Sequence, residues 1–158
     1  MIDYSIPANV QFVPVRFMND AGSVSDTPPG RPVVKAVLRN DPNHGKSTLP
    51  VPTNSKIVYA LLDTGADNNY ATPAYIAAAA CPQLGTSTVH GGTSSAPSTH
   101  YLAHIFFPEL QLQIETDIFS AQLGNSPATE HMVIGMLSIV CGRLVLDFKQ
   151  GIYRLYLG

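Results

Sequence analysis

A mainly β fold is predicted for this 158-residue chain by three features. β-Branched-rich segments recur at residues 10–17, 33–39 and 57–62, each set off by Pro, Gly or Asp. The run Leu110-Gln111-Leu112-Gln113-Ile114-Glu115 alternates apolar and polar residues, the pattern of a half-buried strand. Helical windows are confined to two short stretches, and there is no internal repeat.

Eight of the thirteen prolines precede residue 56, so the first third reads as short strands joined by long loops. Residues 40–55 are loop. Thr72-Pro73 is a suitable N-cap and first-turn pair, which predicts a helix over 74–80, stopped by Pro82. Residues 86–99 are rich in Gly, Ser and Thr and lie between more apolar segments. Strands are predicted over 101–107 and 110–119. Met132-Val133-Ile134-Gly135 leads into a second helix over 136–141. The chain closes with 144–148, a Gln150-Gly151 turn and 152–157, a hairpin.

Composition narrows the function. Hydrophobic residues make up 45 % and charged residues 13 %, a globular balance, and the net charge of −2 comes with no basic run. Nucleic acid is therefore not an expected partner. No apolar stretch approaches the ~20 residues needed to span a bilayer, and Met1-Ile2-Asp3-Tyr4-Ser5 does not begin a signal peptide. The expectation is a cytoplasmic chain with no membrane partner. Cys81 and Cys141 are too few for a disulfide framework; the sequence leaves a single bridge open, and two reduced, buried thiols are the expectation. Gly45-Lys46-Ser47-Thr48 lacks the glycine that a phosphate-binding loop needs five residues earlier, where Asn40 stands. His100 and His104 flank a strand-like segment and are expected as surface histidines, so no metal or other cofactor is implied.

The most informative residues are Asp63-Thr64-Gly65-Ala66, at the end of the apolar run Ile57-Val58-Tyr59-Ala60-Leu61-Leu62. A carboxylate at the end of a buried strand is costly unless it is hydrogen-bonded, paired or protonated. Gly65 lets the chain turn sharply and brings backbone close to that acid. Asp63 is thus presented as a fixed acid, which is what catalysis by a carboxylate requires.

Four features accompany it in order: Ala66-Asp67 follows directly, a glycine-rich segment lies downstream, Val133-Ile134-Gly135 leads into a helix, and a strand pair containing Leu146-Asp147-Phe148 ends the chain. In this order they resemble the retroviral-type, or retropepsin-like, aspartic proteases with one catalytic motif per chain, including cellular and bacterial relatives. The resemblance runs over residues 57–157. It implies a closed, barrel-like half with two short helices, with residues 1–55 adding strands and loops to a core at 56–158. It also implies an aspartic endopeptidase acting on a polypeptide substrate. The triplet occurs once, so one chain supplies half of an Asp dyad and the active species is a homodimer.

By the same resemblance, Thr64 bonds across the two-fold and Gly65 lets substrate backbone approach. Ala66 and Asp67 line the cleft. Residues 89–99, with Gly91 and Gly92, form a flap, and Ile134 contributes a pocket wall behind the catalytic loop. Terminal strands, 152–157 among them, carry the dimer contact. Two positions depart from the pattern. Met136 stands where retroviral members often have an Arg that pairs with the acid matching Asp67. Ala66 stands where pepsin-like enzymes often have Ser; losing that hydroxyl implies a less acidic working range. The rival expectation is a non-catalytic dimeric module that binds extended peptides in the same groove.

Overall fold

The longest of the early strands organises the molecule. In the computed structural model, which describes residues 10–43, 56–90 and 94–157, β4 (Arg31–Arg39) buries Val33, Val34, Ala36, Val37 and Leu38, so both of its faces are covered. Such continuous burial needs neighbours on every side, and β4 has them. Its outer end pairs with β2 (Arg16–Met18), which in turn pairs with the short β3 (Val24–Ser25). Val33 to Ala36 pair antiparallel with β5 (Val58–Leu62), and Val37 to Arg39 pair with β8 (Ser95–Phe107).

From β5 the sheet continues through β6 (Tyr70–Ala71), β7 (Gln83–His90), β9 (Leu112–Ser120) and β10 (Met132–Ile134). The order is β3-β2-β4-β5-β10-β6-β9-β8-β7. Because β8 returns to β4, the central strands close on themselves as a barrel. Inside lie Val34, Ile105, Phe107, Ile118, Met132 and Ile134, each without exposed surface. Burying each such side chain contributes about 1.5–3 kcal/mol, and together they hold the barrel shut.

A second sheet of three strands has the order β1-β12-β11, with β1 at Phe12–Pro14, β11 at Gly142–Asp147 and β12 at Ile152–Leu157. The segment expected as one strand over 10–17 is broken at Val15. There the backbone N–H donates to Tyr153 O at 3.1 Å, and the chain passes from one sheet to the other. β12 is the centre of its sheet, with β1 on one edge and β11 on the other. Both edges of β12 are therefore taken within the chain. The early strands are built into both sheets, so residue 55 marks no structural division.

The helices fall near their predicted places. α1 (Pro73–Ala79) ends where Ala80 turns left-handed at φ 53°, just before Pro82. Thr72 precedes it in extended conformation without a side-chain cap bond. α2 (Met136–Ile139) is shorter than the predicted 136–141. A 3-10 turn at Pro127–Thr129 has no counterpart in the sequence reading. Among the described residues, no helix is long and apolar enough to cross a membrane.

Candidate active site

The site follows from one topological fact. β5 and β6 are consecutive in sequence, yet β10 lies between them, parallel to β5 and antiparallel to β6. The connection from Asp63 to Asn69 must therefore arch over the end of β10, where Gly135 passes beneath it. A Cβ on Gly135 would lie 2.1 Å from Asn68 O and 2.6 Å from Ala66 O, well inside contact distance. Only glycine fits there.

The arch is tied down along its length. Asp63 N–H donates to Ile134 O at 3.0 Å, which fixes the catalytic candidate against β10. Beyond it, Met136 N–H donates to Ala66 O at 2.7 Å and Leu137 N–H to Asp67 O at 2.9 Å, so the first amides of α2 hold the arch carbonyls. Within the arch, Ala66 N–H donates to Asp63 O at 3.2 Å and Gly65 N–H donates to Asp63 Oδ1 at 2.8 Å. A Cβ on Gly65 would press on that carboxylate oxygen at 3.2 Å. Asp63 is half-buried, while Thr64 and Gly65 are exposed. The result is a carboxylate held by backbone at the open end of a barrel strand, with its second oxygen free of hydrogen bonds among the described residues.

Asn69, which the sequence reading did not single out, fastens the arch from below. Its side chain is wholly buried. The amide nitrogen donates to Ser138 Oγ at 2.7 Å, Thr116 Oγ1 at 2.9 Å and Asp117 O at 3.4 Å. Its Oδ1 accepts from Gly135 N–H at 3.1 Å, and its carbonyl accepts from Phe119 N–H at 2.9 Å. One side chain thus joins the arch, α2 and β9. Its only sequence signal is a polar pair, Asn68-Asn69, between an acid motif and a strand.

The other predicted site residues separate into groups. Asp63, Thr64, Gly65, Ala66 and Asp67 form one continuous loop. Asp67 is exposed and makes no ion pair among the described residues, in keeping with Met136 in place of an arginine. Ile134 is corrected from a pocket wall to a core residue: its side chain has no exposed surface, and it serves the loop through its carbonyl alone. The segment expected as a flap lies in an antiparallel strand pair, β7 against β8, paired from Gln83↔Tyr101 to His90↔Ser95. Gly91 and Gly92 lie outside the described residues.

One histidine and one thiol also depart from expectation. His104 is 2 % exposed, not a surface residue, because β8 is flanked there by both β4 and β9. Its Nδ1 accepts from Asp41 N–H at 3.0 Å and its Nε2 faces Glu115 Oε2 at 3.3 Å. His100 stacks on Phe119, with ring centres 5.1 Å apart, and its Nδ1 lies 3.2 Å from Asp117 Oδ2. Cys81 is buried, and burial pushes its thiol up to about 11, whereas Cys141 is exposed; both are free.

A hollow of about 370 Å³ beside the arch is lined by Asn68, Glu115, Asp117, Phe119, Leu137 and Cys141. A larger one of about 990 Å³ runs along β11 and β12 and includes no arch residue. The candidate acid thus borders neither the larger hollow nor its lining. No three His, Cys, Asp or Glu side chains among the described residues are grouped to hold a metal ion. Compared with known protein families and with curated proteins, the chain gives no match.

Proposed function

We propose that this chain is one half of a homodimeric aspartic endopeptidase. The observation that carries the reading is the Asp63 arch: a carboxylate pinned through its own N–H to Ile134 O and through Gly65 N–H to one oxygen, next to exposed Thr64 and Gly65. In the dimer, Asp63 from each chain meets its counterpart about 3 Å away, too close for both to ionise, and the pair holds one proton. The ionised member takes a proton from a water as that water attacks the scissile carbonyl. The protonated member donates to the carbonyl oxygen, and the proton passes on to the departing amine. The titration belongs to the pair and not to either aspartate. Thr64, whose hydroxyl has no partner among the described residues, is free to bond across the two-fold. The β7–β8 hairpin closes over the extended peptide and excludes water.

The reading is tested by thermal melts with a peptide-like inhibitor that carries a hydroxyl in place of the scissile carbonyl. A proton-sharing dyad predicts greater stabilisation at mildly acidic than at alkaline pH, and loss of the effect in Asp63→Asn. Equal stabilisation at both pH values, retained in the variant, would favour the non-catalytic peptide-binding module.

A further inference from the structure

We propose that β11 is the edge through which two copies of this chain pair, antiparallel and centred on Val145. Its inner edge is fully paired with β12, from Gly142↔Leu157 to Asp147↔Ile152, and its outer edge pairs with no strand among the described residues. The opposite edge of the same sheet is blunted: β1 has three residues, and one is Pro14, which has no N–H to offer. β11 carries neither that defence nor a bulge.

The occupant is a second copy because the strand is complementary to itself. Its sequence, Arg143-Leu144-Val145-Leu146-Asp147, is symmetric about Val145 in polarity and opposite in charge at its ends. A two-fold axis at Val145 sets Arg143 opposite Asp147 of the second copy, twice over, and Leu144 opposite Leu146. Opposite charges facing each other across antiparallel strands are stabilising, and like charges there are destabilising. Both charges are available for this. Arg143 is exposed and makes no ion pair among the described residues. Asp147 uses Oδ1 to accept from Lys149 N–H and Gln150 N–H, which leaves Oδ2 free.

The same axis sets Phe148, 62 % exposed, opposite Gly142, whose own Cβ position is already filled by the Tyr156 carbonyl of β12. Leu144 and Leu146 pack on the barrel core, so Arg143, Val145 and Asp147 share the outer face that borders the 990 Å³ hollow. The exposed Leu137 and Val140 of the α2 segment lie just before this strand. The product is a six-stranded sheet, β1-β12-β11 joined to its symmetry copy. This names the dimer contact of the proposed endopeptidase, but it is read by oligomeric state and not by cleavage.

The test is sedimentation of full-length protein over a range of concentrations. Arg143→Asp and Asp147→Arg each weaken self-association by at least about tenfold. Mixed in equal amounts they recover a one-to-one dimer, because each then offers the other its opposite charge. Asp147 also caps the hairpin turn, so Val145→Cys in a Cys141→Ser background gives a second, independent readout. Opposed antiparallel residues lie about 4.5–5.5 Å apart at Cα, within disulfide range, and a covalent dimer forms without reductant. A wild-type chain that stays monomeric, a dimer indifferent to both charge reversals, or no cross-link at position 145 overturns the proposal. A β11 dimer that cleaves nothing retains this inference and removes the endopeptidase; cleavage by a dimer joined elsewhere does the reverse.

Discussion

Asn69→Ala is the change that most directly tests how the Asp63 arch is held. The wild-type amide is wholly buried and bonds to Gly135 N–H, Ser138 Oγ and Thr116 Oγ1. Truncation leaves the Gly135 N–H without an acceptor in a buried position, which costs about 1–3 kcal/mol. The two hydroxyls can rotate toward other partners, and losing their bonds to the amide costs about 0.5–1.5 kcal/mol each. The expected loss is therefore about 2–6 kcal/mol, a large share of the roughly 5–15 kcal/mol that stabilises a typical domain. For a chain of this size that lowers Tm by on the order of 10 °C.

The chain contains no tryptophan, so urea unfolding is best followed by circular dichroism and tyrosine fluorescence. Asn69→Asp refines the test. It keeps the acceptor for Gly135 N–H, and the Ser138 and Thr116 hydroxyls can turn to donate to it. Burial disfavours its charged form and raises its folded pKa, so this variant becomes more stable, relative to wild type, as pH falls. A loss below about 1 kcal/mol in Asn69→Ala would refute the role given to this residue, since a buried N–H cannot be orphaned so cheaply.

Three further outcomes follow from the same structure. Tyr75→Phe removes a buried hydroxyl that donates to Lys56 O at 2.8 Å and accepts from Leu38 N–H at 3.0 Å; a loss of about 1–3 kcal/mol is expected by denaturant titration, and a neutral result contradicts the pairing. Asp41 is held below the usual carboxylate range, first by the hydrogen bond from Gln113 and then by the Asn43 N–H and the Arg39 guanidinium. Its contribution is present above the unfolded-state value near ~4 and lost as pH falls through the lower folded value, so Asp41→Asn flattens the acid limb of the stability curve; an unchanged slope contradicts this. Native protein reacts with a thiol reagent at Cys141 and not at Cys81, whose second equivalent is released only on unfolding; two fast equivalents per chain would contradict the burial of Cys81.

Much of the architecture was legible because it is written in local pattern. The run ending at Asp63 is β5, the alternation read from Leu110 is β9 from Leu112 onward, with Leu110 and Gln111 in the turn before it, and Thr72-Pro73 opens α1. The loop from Asp63 to Asp67 was legible for the same reason, since a strand, an acid and a glycine are adjacent in sequence. What was missed depends on partners distant along the chain. His104 reads as one polar residue in an apolar stretch; only the closing pair β4–β8 buries its strand on both sides. Asn69 acquires its role from residues 47 to 69 positions away. Ile134 looks like a pocket wall until β10 is seen inserted between β5 and β6, which sends its side chain into the core. Cys141 was expected inside because free cysteines are commonly buried. The helix expected to run through it stops at Ile139, and the residue lies at the surface.

The central claim is that Asp63 supplies half of a catalytic dyad. Its most direct test is cleavage of an unbiased peptide mixture between about pH 4 and 7, read by mass spectrometry, with wild type and Asp63→Asn compared at matched concentration and fold. Cuts made by the wild type and absent from the variant are the predicted result. Identical cuts from both, or none from folded, dimeric wild type, would contradict it.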